Sequence, residues 1–235
     1  MSSKIVVVDS RISSESENCL IKLGYTIRKI SPDPRFDEPI SAHPDIFMVN
    51  IAGKWLHDTA VHNVFTISEA EIKLSREAIK SDKYIYPYDV EFNCIQIGNH
   101  LICNKKYTNK IVIDTALKNG IDIIDVKQGY TKCSVCKVSE NAIITEDVGI
   151  AERAKQYGID VLLIQKGYVK LDGYDYGFIG GCYGLIENNL LAFNGCIERH
   201  PDYNLINYFC NKYCVRVLSL SGHNLYDIGT IYRIV

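Results

Sequence analysis

The feature that most constrains the fold of this chain is a repeated junction, in which a helical pattern ends at a glycine and an apolar run follows. Asn119–Val126 and Tyr157–Ile164 are near copies of this junction, and Leu23–Ile30 has the same form. A glycine at the end of a helical pattern is typical of a helix C-cap, and a short apolar run is typical of a buried strand. The sequence therefore predicts repeated units in which a helix leads into a strand.

Two further short strands precede each helix, so the predicted unit is ββαβ. The clearest copy has strands within Cys133–Val138 and Ala142–Thr145 and a helix over Asp147–Tyr157. Glu140 and Asn141, between the two strands, are typical hairpin residues. Other copies start near Asp45, Cys94 and Gly181.

The first and last units are the least regular. In the unit near Asp45, the pattern predicts a helix within Glu69–Ile79 and a third strand at Ser81–Tyr86. The fifth unit, Leu225–Ile234, ends before it is complete. The strand predicted at Lys4–Asp9 has no unit of its own, so we expect it to complete the fifth unit.

These units predict an α/β fold of one domain, residues 1–235, with five ββαβ modules around a pseudo-fivefold axis. Pairing of the N-terminal strand with the last module would close them into an α/β propeller. An ordinary α/β sandwich, in which similar units arise from similar patterning, remains the alternative.

Composition argues against several classes of partner. The chain has 26 Lys and Arg against 28 Asp and Glu, so phosphate backbones are not attracted and we expect no nucleic-acid partner. No apolar run approaches the roughly 20 residues of a membrane span. The N-terminal apolar run is short and reaches a charge at Asp9, so it is interpreted as a strand rather than a signal peptide.

Nine cysteines without such a signal predict reduced thiols and a cytoplasmic protein.

Cys133 and Cys136 have the spacing of a zinc knuckle or a redox pair. Residues three apart in a strand point to opposite faces, and the other close pair, Cys210 and Cys214, falls at a predicted helix end. We therefore expect these cysteines to pack as apolar side chains, with no metal and no cofactor.

Five ββαβ modules resemble the pentein fold of arginine and agmatine deiminases, dimethylarginine dimethylaminohydrolase and amidinotransferases. Ile143–Ile150 resembles a segment that ends a strand of these enzymes with a guanidinium-binding carboxylate, which implies that role for Asp147. Phe178–Gly195 resembles their Glu-Gly-Gly-Asp-Val segment. The fold also serves a ribosome anti-association factor that does no chemistry, so it does not decide the function. The chain looks like an uncharacterised branch of this superfamily.

The resemblance also implies that the shared chemistry is lost. Those enzymes use a cysteine nucleophile of the last module, a histidine and carboxylates. Here Ser221–Gly229 contains no cysteine, and Asp227 stands in the likeliest position of the nucleophile. In one register Tyr168–Asp172 stands where the family has its histidine, and in another Asn224–Tyr226 does; the histidine is absent in both. Asp147 alone is retained by the match, so we expect no hydrolysis of arginine, agmatine or methylated arginines.

Candidate site residues are those at the predicted axial ends of the modules. The candidates for binding a ligand are Asp45, Asp147, Asp227, Tyr130, Lys170 and Tyr176. The candidates for any remaining catalysis are the thiols Cys133 and Cys182 and the bases His43 and His223.

Three functions stay open at this point. The leading hypothesis is a non-catalytic protein that binds a small polar or cationic ligand, such as a guanidino compound or an amine, in the axial cleft. The second is a hydrolase or deiminase of guanidino or amidine substrates that uses a relocated cysteine. The third is a protein-interaction module without an axial ligand.

Overall fold

The computed structural model of the chain describes residues 4–64, 71–76 and 82–234. These residues form five three-stranded sheets of one design. In every sheet the middle strand pairs antiparallel with the first strand and parallel with the third. The prediction of repeated units with two hairpin strands and a third parallel strand is thus confirmed.

Each sheet has a first, a middle and a third strand, and the strands are grouped by that position. The first strands are β3 (Met48–Ile51), β6 (Ile95–Ile97), β9 (Val135–Ser139), β12 (Tyr183–Glu187) and β15 (Tyr232–Ile234). The middle strands are β1 (Ile5–Asp9), β4 (Lys54–Asp58), β7 (His100–Cys103), β10 (Ala142–Thr145) and β13 (Leu190–Phe193). The third strands are β2 (Thr26–Ile30), β5 (Glu71–Leu74), β8 (Asp122–Asp125), β11 (Asp160–Leu163) and β14 (Arg216–Ser219).

In the described residues, four α-helices connect a middle strand to a third strand, and one short α-helix precedes the first strand of the first module. The α-helices are α1 (Ser14–Lys22), α2 (Pro44–Phe47), α3 (Lys110–Lys118), α4 (Val148–Gln156) and α5 (Tyr203–Lys212). Short 3-10 helices lie at Glu38–Ile40, Thr59–Val64 and Ile197–Arg199. Within the described ranges, no helix has both the length and the apolar character needed to cross a membrane.

Local sequence accounts for the helix boundaries. At the start of α4 the Asp147 carboxylate accepts a hydrogen bond from the Ile150 amide at 2.8 Å. The predicted C-terminal glycines Gly24, Gly120 and Gly158 have φ of +85°, +71° and +76°, a conformation that favours glycine. The glycine junctions predicted from the sequence therefore do end their helices.

The first module differs from the prediction. Glu71–Leu74 is the strand β5, not part of a helix, and its apolar Ile72 and Leu74 alternate with polar residues as in a half-buried strand. The third strand predicted at Ser81–Tyr86 is wrong, since residues 82–86 form no strand. The short helical segment of this module is Thr59–Val64. Part of each of these two predicted elements lies outside the described residues, namely residues 69, 70, 77–79 and 81.

The N-terminal strand completes the fifth sheet, as predicted for Lys4–Asp9. β1 pairs antiparallel with β15 and parallel with β2, with Ile5 opposite Ile234. Val6, Val7 and Val8 are completely buried. The fifth unit is therefore assembled from the two ends of the chain.

Each sheet packs against the next through an apolar cluster. β1 illustrates the arrangement: Ile5 and Val7 pack with residues of the first module, whereas Val6 and Val8 pack with residues of the fourth. Three further clusters lie between the first and second, second and third, and third and fourth sheets. Both faces of every middle strand are thereby buried.

We expect removal of residues 1–9 to abolish cooperative folding. The deletion removes the middle strand of the fifth sheet and the buried side chains of Ile5 to Val8, each worth ~1.5–3 kcal/mol against a typical total stability of about 5–15 kcal/mol. Thermal unfolding followed by circular dichroism measures the effect. Lys4→Gln, which changes only an exposed side chain, is the control and should melt like the unaltered protein. A native-like cooperative melt of the truncated chain would contradict the role given to this strand.

Candidate ligand-binding site

The turns that precede the first strands meet at the centre of the described structure. Cys133 precedes β9, Asn93 precedes β6, and Asp45 lies in α2, directly before β3. The Cys133 thiol donates a hydrogen bond to Asp45 Oδ2 at 2.9 Å, and Asn93 Nδ2 donates to Cys133 Sγ at 3.1 Å. Side-chain hydrogen bonds thus link the turns of three modules.

Asn93 also fixes the backbone of the Cys133 turn. Its Oδ1 accepts hydrogen bonds from the amides of Lys132 at 2.7 Å and Cys133 at 3.2 Å. The side chain is completely buried. Because both ends of the amide are used within the turns, Asn93 holds the thiol at a fixed position.

Asp227, in the turn before β15, is held by backbone donors. Its Oδ2 accepts from the Phe178 amide at 2.9 Å, and its Oδ1 accepts from the Gly229 amide at 2.9 Å. A Cβ atom at Gly181 would lie only 2.0 Å from Asp227 Oδ1. Gly181 is therefore required for the carboxylate to occupy this position.

His43 lies between two buried carboxylates. Its Nδ1 is 3.7 Å from Asp227 Oδ1, and its Nε2 is 4.0 Å from Asp9 Oδ2, both longer than a hydrogen bond. Burial, with a smaller contribution from the Arg11 charge, lowers the pKa of His43 to about 3. Arg11 itself pairs with Asp9 at 2.6 Å. His43 is consequently neutral at physiological pH.

Burial also changes the protonation of the acidic groups. It raises the pKa of Asp45 to about 6, and burial together with the Asp45 charge raises the pKa of Asp227 to about 7. Burial and the Asp45 charge raise the pKa of the Cys133 thiol well above its ordinary value. The thiol is therefore protonated, in agreement with its hydrogen bond to Asp45.

A cavity of about 250 Å³ opens beside this cluster. His43, Cys133 and Asp227 line one part of it. An aromatic wall lines another part: Tyr130, Tyr174, Tyr176 and Phe178. The Tyr130 hydroxyl donates to Asp89 Oδ2 at 2.5 Å, which fixes its ring at the wall. A buried acid beside aromatic faces suits a small organic cation.

The structure brings six of the predicted site residues together. Asp45, Cys133 and His43 belong to the cluster of turns, and Asp227 joins them across the cavity. The tyrosines of this group, Tyr130 and Tyr176, belong to the aromatic wall. Asp45 differs in one detail from the expectation, since it lies in the helical turn α2 rather than in a strand.

Asp147 lies outside this cavity. Its Oδ1 caps α4, and its Oδ2 accepts from Gln128 Nε2 at 3.1 Å. It lines a separate cavity of about 590 Å³ together with Glu146. Burial raises the pKa of Glu146 to about 8, and its Oε2 makes no hydrogen bond to any described residue.

The remaining candidates are also apart from the cluster. Lys170 and His223 line a third cavity, where His223 Nε2 lies 3.3 Å from Glu15 Oε2. Cys182 is completely buried in an apolar cluster, and its thiol donates to the Ile179 carbonyl at 3.3 Å. Neither Cys182 nor His223 lines the central cavity.

The structure places Cys133 and Cys136 in different environments. Cys133 lies in the turn before β9 rather than in the strand, and faces Asp45. Cys136 lies on β9 in an apolar cluster that also contains Cys210. No group of residues suited to a metal ion occurs in the described part of the chain, and the absence of a metal stays a prediction.

Sequence reasoning missed several residues of the site. Asn93 and Lys132 stand directly before residues that open a module, and Asp9 and Glu146 stand at the ends of middle strands. The repeat contained a signal for them, because equivalent positions of five similar modules converge at the centre. Aligning the modules position by position, rather than searching for the residue types of one mechanism, would have found them.

Comparisons with known proteins agree with this architecture. Residues 7–232 match the sequence model of a family of unknown function, DUF6873. The chain belongs to this family. No curated protein sequence matches the chain.

Solved structures define the fold of this DUF6873 member. It superposes on C. jejuni agmatine deiminase with a TM-score of 0.51 and 14% identity, over 92% of this chain and 76% of the other. An amidinotransferase of the saxitoxin biosynthetic pathway from Microseira wollei gives 0.57 and 9%, over 94% and 78%. The inosamine-phosphate amidinotransferase of Streptomyces griseus gives 0.57 and 10%, over 93% and 88%. The predicted pentein fold is confirmed, and at these identities the likeness concerns the fold alone.

The buried carboxyl of Asp45 should make stability depend on pH. Its pKa is about 6 in the folded state and about 4 when unfolded, so the folded state holds the proton more tightly. The resulting stabilisation is complete below about pH 4 and is lost as the pH rises through about 6. The free energy of unfolding should therefore fall by on the order of 3 kcal/mol over this window.

Asp45→Asn removes this titration but keeps an oxygen to accept the Cys133 hydrogen bond. Urea unfolding at about pH 4.5 and about pH 7.5 measures the difference. The variant should lose less stability than the unaltered protein between these values, whereas the exposed control Asp122→Asn should lose the same amount. Equal losses in Asp45→Asn and the unaltered protein would contradict the assignment.

Proposed function

We propose that this DUF6873 protein binds a small organic cation, a guanidino compound or an amine, in the central cavity and does not transform it. The observation that carries the proposal is the position of Asp227, a buried carboxyl held by two backbone amides beside an aromatic wall. A cation in contact with this carboxylate would replace solvation that burial has removed.

Several features of the cavity support a cationic ligand. The pKa of Asp227, about 7, lets the group ionise near neutral pH when a cation binds. His43 is neutral, so it does not repel a cation and has a ring nitrogen available as an acceptor. Tyr174, Tyr176 and Phe178 also line the cavity, and aromatic rings attract cations through their π systems.

The thiol supports binding without catalysis. Attack on a guanidinium carbon requires a thiolate, but burial and the adjacent Asp45 carboxyl hold the Cys133 thiol in its protonated form. The solved structures of similar fold are of an agmatine deiminase and of amidinotransferases, which is consistent with a guanidino ligand for this chain.

A relocated-thiol enzyme is the second candidate function. One observation favours it: Cys133 and His43 line the same cavity, so a bound guanidinium would meet both. In this alternative a ligand would have to lower the pKa of the thiol by displacing its contact with Asp45. The third hypothesis, an interaction module with an empty axis, fits less well because the cavity of about 250 Å³ has converging polar groups.

We also propose that the five sheets form a closed ring, a five-module α/β propeller. One supporting contact is the β1–β15 pairing. The other is the apolar cluster that joins the fifth module to the first, where the ring centres of Trp55 and Tyr232 are 5.1 Å apart. A cytoplasmic location fits the cysteines, all nine of which are free thiols.

Agmatine should raise the melting temperature of the protein through Asp227. The ion pair forms when the carboxyl is ionised, so affinity should increase up to about tenfold per pH unit below the pKa of about 7 and level off above it. Asp227→Asn should weaken binding at least about tenfold, the usual effect of losing a charge-assisted hydrogen bond. Calorimetric titration at two pH values provides the affinities.

Asp122→Asn is the matched control, because Asp122 is exposed and carries the same charge. Its affinity for agmatine should equal that of the unaltered protein. Unchanged affinity in Asp227→Asn, or affinity that rises as the pH falls, would reject this cavity as the cation site.

Turnover should be undetectable with arginine, agmatine or methylated arginines. A thiol that stays protonated cannot act as the nucleophile, and loss of one member of a catalytic unit typically costs several orders of magnitude in rate. Ammonia and urea assays at high protein concentration measure it. Product release that disappears in Cys133→Ser but persists in Cys182→Ser would instead establish the relocated-thiol enzyme.

A further inference from the structure

A second cavity of about 620 Å³ lies on the other side of the central turns. Residues of all five first strands line it: Val49, Asn50, Ile95, Gln96, Lys137, Tyr183, Leu185, Glu187, Tyr232 and Arg233. It shares no lining residue with the cavity of Asp227. The two cavities are therefore distinct sites.

Lys132 is the most deeply buried charged group of this second cavity, with 4% of its surface exposed. Its ammonium donates to the Gly180 carbonyl at 2.9 Å and to Thr230 Oγ1 at 2.8 Å. An ammonium has three donors, and the third makes no hydrogen bond to any described residue. The lysine therefore retains one donor for a ligand.

The charges around the cavity leave an excess of positive groups. The two carboxylates of the lining are already paired, Glu140 with Lys137 at 2.7 Å and Glu187 with Lys4 at 2.6 Å. Arg233, by contrast, makes no ion pair within 4 Å in the described part of the chain. Lys132 and Arg233 thus make no ion pair within 4 Å among the described residues, and the charges of Asp45 and Glu187 act on them from a longer distance.

Aromatic rings provide the remaining recognition surface. Trp55, Tyr183 and Tyr232 line the cavity, and the Lys132 ammonium lies 4.6 Å from the centre of the Tyr183 ring. Flat apolar faces next to a cation suit a planar ligand with one anionic group.

We propose that this second cavity binds a small planar organic anion, with its anionic group at Lys132 and Arg233 and its flat body against the aromatic rings. The site takes a ligand of opposite charge to that proposed for the Asp227 cavity. Its existence does not depend on the binding of a cation there.

Trp55 makes the site directly observable, because it is the sole tryptophan of the chain and lines this cavity. The probe is para-nitrobenzoate, a planar anion whose nitroaromatic ring quenches tryptophan fluorescence. Para-nitrobenzamide, the neutral analogue of the same shape, is the matched probe, and N-acetyltryptophanamide corrects for non-specific quenching.

We expect saturable quenching of Trp55 by para-nitrobenzoate but not by the neutral amide. Arg233→Gln should weaken the affinity about tenfold, or ~1.4 kcal/mol, as expected for loss of a charge-assisted contact. Lys155→Gln, the same charge change on the exposed face of α4, should leave it unchanged. An excess of agmatine should not displace the anion, since the two cavities share no residue.

Three results would overturn the proposal: no saturable quenching, equal quenching by acid and amide, or unchanged affinity in Arg233→Gln. A circular dichroism spectrum of each variant verifies that it is folded. Glu187→Gln is a second variant at the rim, and it should bind the anion at least as tightly as the unaltered protein because it removes a negative charge. Weaker binding by this folded variant would likewise contradict an anion site.

Discussion

The structure depends on the burial of both faces of every middle strand between neighbouring sheets. β1 shows the constraint most clearly, with Ile5 and Val7 packed on one side and Val6 and Val8 on the other. A sheet that is apolar on both faces must be covered twice, so each module needs two neighbours. This requirement brings the ends of the chain together at β1 and β15 and directs the turns before the first strands to the centre.

The chemistry of the centre follows from this convergence. Asp45, Asn93, Cys133 and Asp227 come from different modules, and none reaches water easily. Desolvation then raises the pKa of both aspartates and of the thiol and lowers that of His43. Asp227, with a pKa of about 7, is then only partly ionised near neutral pH and can become fully ionised in contact with a cation. A protonated thiol distinguishes this centre from one built for nucleophilic attack.

Much of the fold could be predicted because it repeats. The glycine stops after helices, the hairpin turns and the unpaired strand at Lys4–Asp9 are local signals that five modules reinforce. The first module escaped prediction because a run of alternating residues near Glu71 also fits part of a helical pattern, and only pairing with β4 decides between them. Among the site residues, Asp45, Asp227 and Cys133 were identifiable by their place before a first strand. The capping role of Asp147 and the burial of Cys182 depend on side-chain contacts that sequence patterns do not specify.

The protonation of Asp227 is the quantity on which the account of the central cavity depends. A carbon NMR titration of its carboxyl, with and without saturating agmatine, measures it directly. We expect a pKa of about 7 in the free protein and a clear decrease in the presence of agmatine, because a bound cation stabilises the ionised form. A carboxyl that titrates at the same pH with and without agmatine would contradict the proposed cation site.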